Sequence, residues 1–309
     1  MRCTLLYNPE SGRKRSRRAV HVQNVANALR SLGHSVELAA TTAPGSATAQ
    51  AKQAVISGAE IVFACGGDGT IHEVLQALVS ESGKNSAALG IIPLGSANAL
   101  ARHMRLSLDP VQAALQQIAC EPQTIPIGKI EWDGQVRYFA VMAGAGPDGA
   151  LVYDMLTSHK SSLGRLAYYL RAARLFAAGR FGPFQVEYVD ADSGRVLQCS
   201  AVSAMGVRVR TLGGLFHRLT DRRVSLENTG LQLLVLKPPA WLSLPLWFVS
   251  GWAGLGRQNG LLRSVNVKTF SCSASSIPSP HFQADGEWLG RVPMKVSLVE
   301  NALCILRPE

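Results

Sequence analysis

The run Glu60-Ile61-Val62-Phe63-Ala64-Cys65 leads directly into Gly66-Gly67-Asp68-Gly69-Thr70, and Ile71-His72-Glu73-Val74-Leu75 then opens a helix-like pattern. A buried strand that ends in three glycines at a helix start leaves few folds open. Glycines let backbone amides approach a phosphate with no Cβ in the way. The helix start adds unpaired N–H groups and the positive end of the helix dipole. The aspartate can then orient a metal or a reacting hydroxyl. The same turn is also a plain strand-to-helix connection, so the flanking sequence has to decide.

Strand-like and helix-like runs alternate through the first half of the chain. Cys3–Tyr7 reads as a strand that breaks at Asn8-Pro9-Glu10-Ser11-Gly12. A helix pattern from about Val20 to Leu32 closes at Gly33, a good C-terminal cap. Ser35–Ala39 reads as a second strand, Ala47–Ser57 as a helix, Thr70–Ser80 as the helix after the glycine turn, and Ala88–Ile92 as a strand. This β-α-β-α order predicts a mostly parallel sheet with helices on both faces. Ligands of such sheets sit beyond the carboxyl ends of the strands, the edge that holds the turns at Asn8, Thr41, Gly66 and Pro93.

After about Thr124 the character changes. Ile125–Trp132, Gln185–Val189, Leu231–Leu236, Ser264–Lys268 and Met294–Leu298 read as strands, many of them separated by short turns. They predict a largely antiparallel β domain with one helix at about Leu163–Ala178. The expected division is 1–124 and 125–309, with the last residues packing back on the first domain.

Hydrophobic residues make up 47% and charged residues 17% of the 309, which excludes a disordered chain. A net charge of +10 favours polyanionic partners such as nucleotide phosphates or anionic lipid headgroups. Nucleic acid is disfavoured, because no recognition motif or aromatic–basic interleaving is present. The six cysteines are scattered without a Cys-x-x-Cys pair and read as reduced thiols, not a zinc site or a disulfide framework. The apolar run at Met1–Tyr7 is too short for a signal peptide, which gives a cytoplasmic expectation.

One stretch, between Lys237 and Arg257, is uncharged for 19 residues and carries Trp241, Trp247 and Trp252. Its length is near that of a membrane span, but three prolines and interspersed serines weaken a spanning helix. Two readings stay open: a partly exposed element suited to a membrane interface, or a buried core helix.

Asn8-Pro9-Glu10-Ser11-Gly12, Gly66-Gly67-Asp68-Gly69-Thr70 with Glu73, Pro93-Leu94-Gly95-Ser96-Ala97-Asn98 and Asp285-Gly286-Glu287 stand in an order that resembles the bacterial diacylglycerol-kinase-like lipid kinases. That family is similar to sphingosine and ceramide kinases. Gly144-Ala145-Gly146-Pro147-Asp148, followed by Leu163-Gly164-Arg165-Leu166-Ala167-Tyr168, resembles its mid-chain signature. The resemblance implies an N-terminal α/β nucleotide-binding domain, a C-terminal antiparallel β-sandwich and catalysis in the cleft between them. It also implies ATP and Mg2+ as cofactors, a lipid alcohol as acceptor, and peripheral contact with an anionic membrane at its inner face.

By that resemblance, Gly66, Gly67, Asp68, Gly69, Thr70, Ile71 and His72 cradle the ATP phosphates. Thr41, Gly95, Ser96 and Asn98 contact the nucleotide, and Asn8 and Gly12 shape its pocket floor. Asp68 holds magnesium or orients the acceptor. Asp285 is the expected general base, since a carboxylate beside a lipid hydroxyl can take its proton as the phosphoryl group arrives. Asp-Gly is also an ordinary hairpin turn signal. Glu287 and Glu73 are second-rank partners of loop amides or a metal, and Lys160 and Arg165 fall where related kinases place basic residues near phosphates.

Three departures stand out. Ala99 follows Asn98 where the family has an acidic residue, and Thr229 replaces an aspartate that helps hold a structural magnesium. The glycine-rich acceptor-side loop becomes Arg208-Val209-Arg210-Thr211-Leu212-Gly213-Gly214. The basic cluster at 208–223 and the tryptophan-rich 241–252 segment are expected to dock the protein on membrane. A NAD kinase, which shares the glycine loop, and a catalytically degenerate lipid-binding protein are the competing readings.

Overall fold

Five parallel strands organise the first of two units, which comprises Met1–Ile127 and Val299–Glu309; Gly128–Leu298 form the second. The computed structural model describes residues 1–9, 15–83, 87–157, 181–210, 224–253, 260–274 and 278–308. Gly12, Lys160, Arg165, the helix expected at 163–178 and the basic run 211–223 lie outside these residues.

In the first unit β1 (Arg2–Tyr7), β2 (Ser35–Ala40), β3 (Ile61–Gly66) and β4 (Ala88–Pro93) join the end of β15 (Met294–Leu306) in the order β2-β1-β3-β4-β15. Every pairing is parallel: Cys3 lies opposite Val36 and Ile61, Gly66 opposite Pro93, and Leu89 opposite Ile305. Strands covered on both faces read as unbroken apolar runs, and β3 and β4 are buried at every position. Val22, Val25, Ala26 and Leu29 of α1 (Arg15–Ser31) and Ala114 of α5 (Pro110–Ile118) cover the face that carries Leu5, Phe63 and Ile92. Buried positions of α2 (Ser46–Ile56) and α3 (Asp68–Leu78) serve the alternate strand positions.

Ile91 of β4 lies opposite Ala64 of β3, and a side chain meets its own N–H and carbonyl. Fully buried Gln117 of α5 takes the Ile91 N–H on Oε1 (2.8 Å) and donates Nε2 to the Ile91 carbonyl (2.7 Å). That closes the obligatory backbone groups of a buried strand. Short α4 (Ala99–His103) and α5 fill a stretch for which the sequence suggested no element. Asp109 caps α5 by accepting from Gln112 N–H at 2.9 Å, with Pro110 in the first turn.

The second unit is antiparallel, as the sequence predicted. From one edge its strands run β14 (Glu287–Arg291), β13 (His281–Ala284), β7 (Met142–Ala145), β10 (Ser203–Val207), β11 (Leu231–Leu236), β12 (Leu262–Ser273) and the start of β15. β8 (Phe184–Asp190) and β9 (Val196–Ala201) form a hairpin on β12, and β5 (Pro122–Trp132) pairs with β6 (Gln135–Phe139). A register shift between Val267 and Thr269 lets twelve-residue β12 serve β11 with its first half and β8 and β15 with its second. Phe139, Phe184, Tyr188, Phe270 and Phe282 fill the core.

Helix α6 (Pro147–Thr157) follows β7, and α7 (Ala240–Ala253) follows β11. On α7, Ala240 and Leu244 pack with Val202, Leu234 and Leu262, whereas Trp241, Leu242 and Leu246 are exposed, Trp241 by 68%. Among its described side chains the stretch thus has one covered and one exposed face. Among the described residues no helix is long and apolar enough to cross a membrane.

Candidate active site

Because β1 to β4 are parallel, Asn8, Thr41, Gly67 and Leu94 all leave the sheet at one edge. Hydrogen bonds draw these exits together: Thr41 N–H donates to the Tyr7 carbonyl (2.8 Å) and Leu94 N–H to the Gly66 carbonyl (2.9 Å). Helix α3 begins at Asp68, two residues before the helix read from the sequence, with extended Gly67 as its uncapped N-terminal residue. A Cβ on Gly66 would stand 2.3 Å from Thr70 Oγ1, so the first turn folds back on the strand end only because residue 66 is glycine.

The neighbouring loop is pressed equally close. A Cβ on Gly95 would lie 2.4 Å from the Gly67 Cα, and one on Gly67 would lie 3.3 Å from the Gly95 Cα. Two bare backbones therefore meet beside the α3 N-terminus, where helical N–H groups lack partners one turn back. Buried Asn98, with φ at +49°, clamps the second loop: Gly95 N–H donates to its Oδ1 (3.0 Å) and its Nδ2 to the Gly95 carbonyl (2.9 Å). Asp68 Oδ1 accepts from Ala99 N–H at 2.7 Å, which ties the start of α3 to the start of α4. Ser96 and Gly69 are exposed at this edge.

The side chains of Ile71, His72 and Glu73 are engaged within the fold. Ile71 and His72 point into the core at 3% exposure each, so only their backbone can face a ligand. Glu73 Oε2 accepts from Ala47 N–H (3.1 Å) and caps α2, whose own N-terminal residue, Gly45, has no side chain to do so. Arg18 carries a role that sequence reasoning missed. Buried at 7% exposure on α1, it donates Nη1 to the Asn8 carbonyl (3.1 Å) and Nη2 to the Leu94 carbonyl (2.9 Å). One guanidinium thus spans the loops after β1 and β4, and burial pulls its pKa down.

In the second unit Asp285 and Gly286, at φ +48° and +85°, form the tight turn of the β13–β14 hairpin. The Asp285 carboxylate accepts three backbone N–H bonds: Ala140 to Oδ2 (2.7 Å), and Val141 and Met142 to Oδ1 (2.9 Å each). Fully buried Arg208 lies within electrostatic reach, its Nη2 bonded to the Leu226 carbonyl (2.9 Å). Burial lowers the Arg208 pKa to about 10, and Asp285 opposes that shift. Glu287 meets Arg137 at 3.9 Å on the surface. Asp148 is half-buried at the start of α6, where Gln283 Nε2 donates to its Oδ2 (3.1 Å).

Thr229 stands where the related kinases carry an aspartate, and among the described residues no three His, Cys, Asp or Glu side chains cluster.

Residues 2–130 match the diacylglycerol kinase catalytic domain. A diacylglycerol kinase of Bacillus subtilis (strain 168) is 32% identical over 237 residues, covering 76% of this chain and 74% of the relative. One from Staphylococcus epidermidis (strain ATCC 35984) is 25% identical over 308 residues, covering 100% and 92%. The crystal structure of a Bacillus anthracis str. Sterne protein, proposed to be a diacylglycerol kinase, superposes with a TM-score of 0.75 at 19% identity over 99% of this chain and 96% of its own. Yeast NADH kinase complexed with NADH shares the fold more distantly, with a TM-score of 0.53 at 10% identity over 100% and 84%. The chain is a phosphotransferase with an alcohol acceptor, and it belongs to the bacterial diacylglycerol kinase family.

Proposed function

We propose that this enzyme transfers the γ-phosphoryl group of ATP to the free hydroxyl of a diacylglycerol-like membrane lipid. The observation that carries the reading is the backbone meeting of Gly67 and Gly95 beside the N-terminus of α3. Such a surface of bare backbone suits phosphates, and the family match makes them those of a kinase's nucleotide. Asn8, Gly12, Thr41, Ser96 and Asn98 complete the nucleotide site, and Arg18 holds two of its loops in place. Asp285 takes the proton of the acceptor hydroxyl, held in orientation by the Ala140–Met142 amides.

Magnesium bound with ATP would supply charge neutralisation at the phosphates. Asp68 is the carboxylate of this chain suited to it, since Mg2+ in such sites takes one or two carboxylates plus phosphate oxygens. Peripheral contact with the inner membrane face from the cytoplasm is part of the same reading. The exposed Trp241, Leu242 and Leu246 face of α7 meets the interface, and the net charge of +10 favours anionic lipid.

The test is labelled-phosphate transfer from Mg-ATP to a panel of lipid alcohols in mixed micelles, with Asp285→Asn in parallel. Labelled lipid from wild type and none from the variant is expected. Label appearing in NADP and in no lipid would overturn the acceptor assignment, and an Asp285→Asn variant with wild-type turnover would remove Asp285 as base.

A further inference from the structure

We propose that Asp148, acting through Gln283, is a positioning residue that fixes the Asp285–Gly286 turn for phosphoryl acceptance, a role that presupposes Asp285 serving the acceptor hydroxyl. Asp148 lies in the first turn of α6, which is pressed onto β7 and β13. A Cβ on Gly144 would stand 2.6 Å from Asp148 Oδ2, and one on Gly149 would stand 2.4 Å from the His281 carbonyl oxygen. Gln283, at 2% exposure, donates Nε2 to Asp148 Oδ2 (3.1 Å), while its Oε1 accepts the Gly286 N–H (2.8 Å).

The order of donors and acceptors along this chain is forced. An ionised carboxylate only accepts, so Gln283 must turn its –NH2 toward Asp148. Its carbonyl is thereby aimed at Gly286 N–H, and a flipped amide would set N–H against N–H. The backbone after Gln283 is then held in two successive left-handed residues, one of them the non-glycine Asp285. That conformation needs support from its surroundings.

Packing alone does not explain Asp148. Its Oδ1 is buried without a well-formed hydrogen bond among the described residues, though the Asp148 and Gly149 N–H groups favour the carboxylate, and an apolar side chain would avoid burying that oxygen. Among the titratable groups, Cys272 on β12 interacts electrostatically with Asp148, and the His281 carbonyl on β13 packs against Gly149. Burial, with Asp148 adding to it, pushes the Cys272 thiol well up, and burial with Arg291 holds His281 down at about 4. The Tyr153 ring stacks on His281 with centroids 4.4 Å apart. Asp148 itself is pushed by burial up to about 6, opposed by its bond from Gln283.

The experiment measures lipid-dependent turnover of the full chain against pH, with nucleotide affinity measured separately, for Asp148→Leu, Asp148→Asn and Gln283→Met. Asp148→Leu and Gln283→Met should lower kcat by about tenfold to a hundredfold while leaving the ATP Kd within about twofold, because the turn and not the nucleotide site moves. Asp148→Asn keeps an acceptor for Gln283 and should restore most of kcat while abolishing any inflection near pH 6. If Asp148→Leu fails to fold, Gln283→Met and Asp148→Asn carry the test. Wild-type kcat in Gln283→Met, beside an inactive Asp285→Asn, overturns the positioning role and leaves the proposed reaction intact. Full activity in Asp285→Asn would instead overturn the reaction assignment on which the role depends.

Discussion

Asp148 makes a quantitative prediction about stability that is independent of turnover. Its carboxyl has an ordinary value of 3.8 and is raised to about 6 in the fold, chiefly by burial. The native state therefore holds this proton more tightly than the unfolded chain. The stability it contributes is fully present below about pH 4 and is lost as pH rises through about 6. The rise from 3.8 to about 6 corresponds to about 3 kcal/mol when both states are compared well below and well above these values. Asp148→Asn cannot titrate, so the stability difference between variant and wild type should move by about 2 kcal/mol in favour of the variant between about pH 4 and pH 7. Urea unfolding of both proteins across that range reads it directly, since every group the two share cancels in the difference. A difference constant with pH, or one that moves toward wild type as pH rises, would refute the buried, proton-retaining carboxyl.

Three further outcomes follow from the contacts. Gly95→Ala puts a Cβ 2.4 Å from the Gly67 Cα and should weaken ATP binding at least about tenfold, about 1.4 kcal/mol, by fluorescent-nucleotide titration; unchanged affinity would remove that backbone contact from the nucleotide site. Arg18→Lys replaces a fork that reaches two carbonyls with a point charge, and should cost about 1–3 kcal/mol in urea unfolding, whereas no loss would mean the Asn8 and Leu94 bonds contribute nothing. Trp241→Ser with Leu246→Ser should lower co-sedimentation with anionic vesicles about tenfold or more and leave turnover on a micellar short-chain acceptor unchanged, and vesicle binding equal to wild type would clear α7 of a docking role.

Much of the first unit is legible without coordinates because its strands are buried on both faces. Such strands appear as continuous apolar runs, and their ends mark the ligand edge. The partners that hold this edge together are less visible. Arg18 ends the basic run that starts at Arg13, nothing in that run singles it out, and its partners are main-chain carbonyls that every residue carries. Asp148 stands out in the sequence only as part of a glycine-rich signature. Its bond with Gln283, 135 positions away, depends on β7 and β13 being neighbours. The two faces of α7 cannot be separated by composition, since exposed Trp241 and buried Leu244 are equally apolar. Only the position of β10 and β11 beneath the helix decides which face is covered.

The acidic residues of the site share a habit that bears on how any carboxylate variant is read. Asp68 holds Ala99 N–H, Glu73 holds Ala47 N–H, and Asp285 holds three consecutive amides, so each is a latch on a loop as well as a charge. Asp285→Asn changes both properties at once. Whichever way the new amide turns, its –NH2 faces at least one of the Ala140–Met142 N–H groups, at a cost of about 1–3 kcal/mol in an unsatisfied donor. A latch lost without a base lost should therefore lower stability by that amount and turnover in modest proportion. A base lost should lower kcat by about a hundredfold to ten-thousandfold, the range attributed to positioned proton transfer, whatever the stability change. Measuring unfolding and kcat on the same Asp285→Asn preparation separates the two roles, and equal modest losses in both would reduce Asp285 to the pin of a hairpin.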